Sequence, residues 1–176
     1  MTRQNGREIV KRDGAYQTIS DTNVAIVVPT YNEASNLAEL SRRIFGLGIT
    51  NARLVIVDDC SPDGTATVAK DLSEKYDSRI EVIEREYKQG LGTAYTTAFT
   101  HVLKDGADYV VQMDADLSHA PEYIPAMMQE LESADVVVAS RYMPGGTASA
   151  EWNWKRRLLS TIANAGIRTV SHLDVR

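Results

Sequence analysis

Short apolar runs along the chain alternate with stretches in which apolar residues recur every three or four positions. Val24-Ala25-Ile26-Val27-Val28 is unbroken, the pattern of a strand covered on both faces. Leu37, Leu40, Ile44 and Leu47 then follow at helical spacing. The alternation repeats. Residues 54–57 predict a second strand, and Val68, Leu72 and Tyr76 a second helical stripe. Residues 80–83 predict a third strand, and Leu91, Tyr95, Phe99 and Val102 a third stripe. Residues 109–113 and 136–139 predict further strands, separated by a helix carrying Tyr123, Met127 and Leu131, and a last helix is expected after Trp152. Residues 1–22 show no period and are expected to form a flexible tail, leaving one domain over 23–176. Regular alternation of strand and helix predicts an α/β domain, its sheet mainly parallel with helices on both faces.

Such sheets bind ligands beyond the carboxyl ends of their strands, so the segment after each strand carries the information. Pro29-Thr30-Tyr31-Asn32-Glu33 follows the first strand and Asp58-Asp59 the second. Lys88-Gln89-Gly90-Leu91-Gly92 follows the third, Asp114-Ala115-Asp116 the fourth and Ser140-Arg141-Tyr142 the fifth. Topology alone would bring these five polar clusters to one edge.

Two carboxylates one residue apart at a strand exit, Asp114 and Asp116, can share Mg²⁺ or Mn²⁺ through oxygen ligands, and such an ion is commonly shared with substrate phosphates. The competing account makes Asp116 or Ser118 the cap of a helix opening near Pro121. Asp58-Asp59 allows a turn with a helix cap, or one acid that binds a base, a ribose or a metal. Gly90-Leu91-Gly92 opens a helix whose backbone N–H groups could face a phosphate, but Tyr95 stands where a dinucleotide fingerprint needs glycine or alanine. Arg141 suits a phosphate or an ordinary ion pair. The stretch from Trp152 to Ile162 mixes tryptophan, three consecutive basic residues and an apolar stripe; it suits a membrane interface or a solvated helix face equally. His101, His119 and His172 show no metal spacing or triad pattern.

Composition narrows the field. With 176 residues, 43% hydrophobic and 24% charged, the chain can bury a core and is too apolar for disorder. A net charge of −5 argues against general nucleic-acid binding. Cys60 is the single cysteine, which rules out an internal disulfide and makes a reducing compartment the default. No apolar run reaches the ~18 residues that cross a bilayer. The expected setting is cytoplasmic, peripheral to the cytoplasmic face of a membrane.

Five motifs in order, Val28–Glu33, Val57–Thr65, Lys88–Ala94, Met113–His119 and Ser140–Tyr142, resemble the family-two glycosyltransferases of GT-A fold, and in detail the dolichol-phosphate (polyprenol-phosphate) mannosyltransferases. The resemblance runs from about Val24 to the C-terminus. It implies an inverting, metal-dependent transfer of mannose from GDP-mannose to a polyprenyl (dolichyl) phosphate, with UDP-glucose as the alternative donor. By the same resemblance Pro29, Tyr31 and Glu33 hold the nucleotide, and Val57 and Asp59 lie near base and ribose. Asp114 and Asp116 take the metal and diphosphate beside Ala115, with Ser118 as a third ligand where some relatives carry glutamine. Arg141 faces the phosphates, and Arg156 and Ser160 receive the lipid phosphate. The implied partners are the nucleotide-sugar, the polyprenyl phosphate, and a membrane surface or membrane-anchoring subunit. Relatives continue past Leu173-Asp174-Val175-Arg176 into a further phosphate-binding segment, so the domain is expected to be cut short at that end. A nucleotide-sugar-binding module without turnover is therefore the second reading. A third, a phosphotransferase using the Asp114–Ser118 run as an aspartyl nucleophile, is disfavoured because that chemistry usually places its acids after the first strand.

Overall fold

The unbroken run at Val24–Val28 becomes the centre of a parallel sheet in the computed structural model, which describes residues 2–4, 7–12, 15–18 and 22–140. In chain order the strands are β1 (Thr2–Gln4), β2 (Arg7–Arg12), β3 (Ala15–Thr18), β4 (Val24–Thr30), β5 (Ala52–Asp58), β6 (Ile80–Glu84) and β7 (Tyr109–Gln112). The helices are α1 (Leu37–Gly46), α2 (Thr65–Lys75), α3 (Leu91–Lys104) and α4 (Ile124–Glu130), the last preceded by a 3₁₀ turn at Pro121–Tyr123. Strands β4 to β7 form one parallel sheet in the order β6-β5-β4-β7.

That order dictates where the helices go. From β4 the chain steps outward to β5 and β6, then crosses back to place β7 on the other side of β4. Right-handed crossovers in opposite directions put their helices on opposite faces. The packing agrees. Val24, Ile26, Val28, Leu54 and Ile56 cluster with Leu37, Leu40 and Ile44 of α1 and Ala69 and Leu72 of α2. The alternate residues Ala25, Val27, Val55 and Val57 cluster with Ala94, Tyr95, Ala98 and Val102 of α3. All five residues of the Val24–Val28 run are inaccessible to solvent, each larger side chain contributing roughly 1.5–3 kcal/mol of burial. The reversal at β4 is a topological switch point, where open α/β sheets leave a crevice at the strand ends.

Three expectations need correction. In α3 the predicted stripe member Leu91 is 60% exposed, and Ala94 and Ala98 are buried instead; the small alanines let the helix sit close against β4 and β5. Near α4, Tyr123 is 61% exposed while Ile124 and Met128 are buried. The 3₁₀ turn at Pro121 advances three residues per turn rather than 3.6, which rotates the stripe by about one position. The strand expected over 136–139 does not form, and Val136 and Val138 are exposed. Four apolar residues hold no strand geometry unless a paired neighbour takes up their backbone groups. Within the stretch read as an aperiodic tail, β1, β2 and β3 pair antiparallel, Thr2 opposite Ile9 and Ile9 opposite Thr18. The chain divides into two units, Met1–Asp135 and Val136–Arg176, and the parallel sheet with its helices belongs to the first.

Candidate functional site

Register brings Thr30, the last residue of β4, opposite Asp58, the last of β5. The Thr30 hydroxyl donates to Asp58 Oδ1 at 3.0 Å, and Asp58 is 2% exposed. Ser61 donates its N–H to Asp58 Oδ2 (2.9 Å) and its hydroxyl to Oδ1 (2.6 Å). The same hydroxyl oxygen accepts the N–H of Asn32 at 3.0 Å. A parallel relay runs from Asp63: its Oδ1 accepts the Thr65 N–H and hydroxyl, Thr65 Oγ1 accepts the Glu33 N–H, and Asp63 Oδ2 accepts the Ala34 N–H. Hydrogen bonding to Thr65 is the main reason the Asp63 carboxyl lies below its usual pKa. The run Asp58-Asp59-Cys60-Ser61-Pro62-Asp63-Gly64-Thr65 is thus a clamp on the backbone of Asn32–Ala34. It leaves Tyr31 39% exposed at the rim and Glu33 half-buried, with Glu33 Oε2 accepting from Asn36 Nδ2 at 2.7 Å.

Asp59, 5% exposed, points the other way. Its two oxygens accept the N–H groups of Gln89 (2.9 Å) and Gly90 (2.8 Å), and Arg85 Nε lies 3.3 Å from Oδ1. Burial pushes the Asp59 carboxyl up, but the two backbone donors, Arg85 and Lys88 outweigh it and the net pKa is lowered. Arg85, itself buried, also donates to Gly90 O and to Thr93 Oγ1. Of the Gly90–Gly92 N–H groups that could face a phosphate, that of Gly90 is therefore taken up by Asp59, together with that of Gln89. This pinned loop carries Lys88, whose Nζ stands 3.4 Å from the Tyr31 ring centroid, a cation over an aromatic face. Gly90 has φ +92°, which a side chain at that corner would resist.

β7 ends level with Val27, and the Met113 N–H still donates to Val27 O. The chain then turns sharply. Ala115 is 3% exposed and points inward, while Asp114 is half-exposed and Asp116 exposed. Asp116 Oδ1 accepts the Ser118 N–H at 2.9 Å, so its carboxylate closes a turn rather than capping a helix; the 3₁₀ turn at Pro121 has no side-chain cap. Two side chains to which the sequence assigned no such role support Asp114. His119 Nδ1 accepts the Asp114 N–H at 3.1 Å, which requires that nitrogen to be unprotonated and puts any ring proton of the neutral form on Nε2. Tyr95, buried in the first turns of α3, lies against Gln112 and Asp114; burial first, then the Asp114 charge, raises its phenol pKa. The tyrosine that breaks the dinucleotide fingerprint is thus a support of the acidic turn. Its signal was an aromatic where the motif wanted a small residue.

Asn32, Cys60 and Leu117 on this rim have φ near +60°, as do Asp77 and Ser78 in the turn before β6. Non-glycine residues occupy that region at a cost and concentrate where function fixes the backbone. The donor set of Asp114, Asp116 and the exposed Ser118 fits a hard divalent ion that keeps part of its shell for water and phosphate oxygens. Of the other predicted positions, Pro29 is half-buried within β4 and Val57 is fully buried in β5. Arg141, Arg156 and Ser160, with the tryptophan-containing stretch, lie outside the described residues. No helix among the described residues is long and apolar enough to cross a membrane.

Comparison with known proteins agrees with this geometry. The sequence profile of glycosyl transferase family 2 matches residues 25–172. The chain is 40% identical over 140 residues to the polyprenol monophosphomannose synthase of Mycolicibacterium smegmatis, covering 79% of this chain and 52% of that protein. It is 40% identical over 139 residues to the dolichol-phosphate mannosyltransferase of Pyrococcus furiosus, covering 78% and 38%. The chain thus spans about half, or less, of the length of these relatives. Among solved structures, the mannosyltransferase PcManGT from Pyrobaculum calidifontis, in complex with GDP-Man and Mn²⁺, superposes with a TM-score of 0.56 at 28% identity, over 62% of this chain and 32% of that one. Mannosyl-3-phosphoglycerate synthase from Rubrobacter xylanophilus shares the fold, with a TM-score of 0.52 at 23% identity over 64% of this chain and 37% of that one. The fold is that of the GT-A glycosyltransferases, and the chain belongs to glycosyl transferase family 2.

Proposed function

We propose that this domain holds a nucleotide-sugar, GDP-mannose before UDP-glucose, and passes the hexosyl group to a polyprenyl phosphate with inversion at the anomeric carbon. One observation carries the reading. At the switch point of the sheet the acids of the first pair are buried in internal contacts, whereas Asp114 is half-exposed and Asp116 exposed at the end of the strand next to the clamped Tyr31–Glu33 loop. The names of the relatives support the mannosyl group and the lipid acceptor, and the neighbour in complex with GDP-Man and Mn²⁺ supports the donor and a divalent ion.

When bound at Asp114 and Asp116, Mg²⁺ or Mn²⁺ would supply Lewis acidity to the departing diphosphate. The chain's own residues do the rest. Tyr31 offers a ring face to the base, and Lys88 above it brings positive charge towards the phosphates. Tyr95 and His119 hold the Asp114 turn in place. A phosphate oxygen of the lipid attacks the anomeric carbon, the bond from that carbon to the diphosphate breaks, and its electron pair leaves with GDP. A phosphate monoester has its second pKa near ~6 and is largely ionised at neutral pH, so no side chain is needed to remove a proton. Resemblance assigns the phosphates to Arg141, Arg156 and Ser160. A lipid acceptor implies work at a membrane surface, which this reading places at the cytoplasmic face.

The test is transfer of radiolabelled mannose from GDP-mannose to a polyprenyl phosphate in vesicles with Mn²⁺. Label in the organic phase, abolished by EDTA and by Asp116→Asn, is the expected result. Donor binding by calorimetry with no lipid product would replace the reading by that of a binding module. Stronger binding of UDP-glucose would overturn the choice of donor.

A further inference from the structure

A second cluster of ligating side chains lies at the other end of the sheet. Glu81, near the start of β6, meets His101 and Asp105 at the carboxyl end of α3. Helix α3 fixes the separation from the site above. Gly90 at its beginning is held by Asp59, Asp105 caps its far end, and its 14 residues span about 21 Å. This cluster therefore cannot share an ion with Asp114 and Asp116.

We propose that Glu81, His101 and Asp105 form a separate cation site that takes a borderline transition ion such as Zn²⁺ in preference to Mg²⁺. Their ligand atoms all lie within 4.8 Å of one another. His101 and Asp105 are four residues apart on one helical face, the spacing that lets two side chains reach one point. An imidazole with two carboxylates suits zinc-like ions; magnesium prefers an all-oxygen shell rich in water.

The decisive detail is the imidazole nitrogen. His101 Nε2 is shut off from solvent and makes no directed hydrogen bond, although Glu81 Oε1 is 2.5 Å away and Asp105 Oδ2 3.4 Å. Both carboxylates thus already stand at the imidazole nitrogen. Tetrahedral ligands at about 2.0–2.1 Å from zinc sit roughly 3.3 Å apart. Asp105 already meets that spacing. Glu81 would swing outward by under about 1 Å, which its partly exposed side chain permits.

Arg53, on β5, has Nη1 3.0 Å from Asp105 Oδ2 and 3.8 Å from Glu81 Oε2, and it also donates to Val102 O. It holds both carboxylates near His101 in the absence of metal. With His101 neutral, Arg53 and the two acids leave one net negative charge for the ion to meet. A bound ion would join the beginning of β6 to the end of α3.

The experiment uses the full chain carrying Asp114→Asn and Asp116→Asn, so that the first site is silent, after treatment with a chelator. Titrated Co²⁺ should bind at one equivalent with visible d–d absorption, and Zn²⁺ should displace it and raise the melting temperature. His101→Ala should weaken Co²⁺ binding by at least about 100-fold, more than the loss of a merely supporting residue costs. Asp105→Asn provides the same test should His101→Ala fold poorly. Failure of the Asp114/Asp116 variant to take up Co²⁺ would overturn the proposal, as would uptake unchanged by either second substitution.

Discussion

Two pairs of acids stand at strand exits on the same rim, one buried and the other partly exposed. Asp58 and Asp59 are adjacent, so successive side chains leave the strand in opposite directions. One reaches Thr30 and Ser61, the other Gln89, Gly90 and Arg85. Asp114 and Asp116 lie in the turn beyond β7, the first half-exposed and the second exposed, while Ala115 between them is buried. The adjacent acids tie two neighbouring loops together; the alternate acids are the pair proposed to hold the cation. Spacing separates the roles where composition does not.

The sharpest way to break the comparison is to remove Asp59. Arg85 would be left buried with its charge unpaired, a loss of about 3–5 kcal/mol, readable by chemical denaturation of Asp59→Ala. The double variant Asp59→Ala/Arg85→Met should recover part of that loss, because an apolar side chain leaves no unpaired cation behind. A cost under about 1 kcal/mol for the single variant would mean that Asp59 is not the keystone of the Gln89–Gly90 loop and that its carboxylate is kept for a ligand.

Asp116→Asn should give the reverse profile. An exposed position away from the core changes stability by about 0.5 kcal/mol or less. Mn²⁺-dependent binding of GDP-mannose should fall by about 100-fold, the scale of several kcal/mol that a shared cation supplies. Loss of stability without loss of binding would place Asp116 with Asp58 and Asp59 as a structural acid.

Between these extremes lies Thr65, buried at the start of α2, whose hydroxyl donates to Asp63 and accepts from the Glu33 N–H. Thr65→Val keeps the shape and deletes both bonds. It should cost about 1–3 kcal/mol and weaken the donor modestly, through a loosened Tyr31–Glu33 loop rather than a lost contact.

Local pattern made much of this legible. The Val24–Val28 run, the alternation of strand and helix and the polar segment after each strand follow from periodicity, and they are enough to predict the parallel sheet. What periodicity does not carry is pairing between distant side chains. Asp58 meets Thr30 across 28 residues and Asp59 meets Gly90 across 31, so whether those acids were internal or ligand-facing depended on loops far away in the chain. Tyr95 and His119 were hidden differently. One looked like a core stripe residue and a failed motif, the other like a histidine with no partner, until the fold set both against Asp114. Leu91 and Tyr123 misled because a 14-residue helix lined by alanines, and a helix begun by a 3₁₀ turn, each turn a neighbouring set of residues inward.

The smallest expected effect belongs to the surface tether of the Asp114 turn. Arg43 on α1 donates twice to Glu122, at 2.8 and 2.5 Å, joining α1 to the 3₁₀ turn that follows the acidic segment. Hydrogen bonding from Arg43 holds the Glu122 pKa down to about 2. A folded-state pKa below the unfolded value means that this contribution is present above about pH 4.5 and is lost as pH falls towards 2. Glu122 is exposed, so salt screens the pair and the contribution is small. Glu122→Gln should therefore melt slightly below the parent at about pH 6 in low salt, and the two curves should draw together as pH falls from about 4.5 towards 2, where the parent's carboxylate takes up its proton. High salt should close the same gap at neutral pH. A difference that survives both acid and salt would show that Glu122 acts through packing, and would move the tether from electrostatics to the shape of the turn it supports.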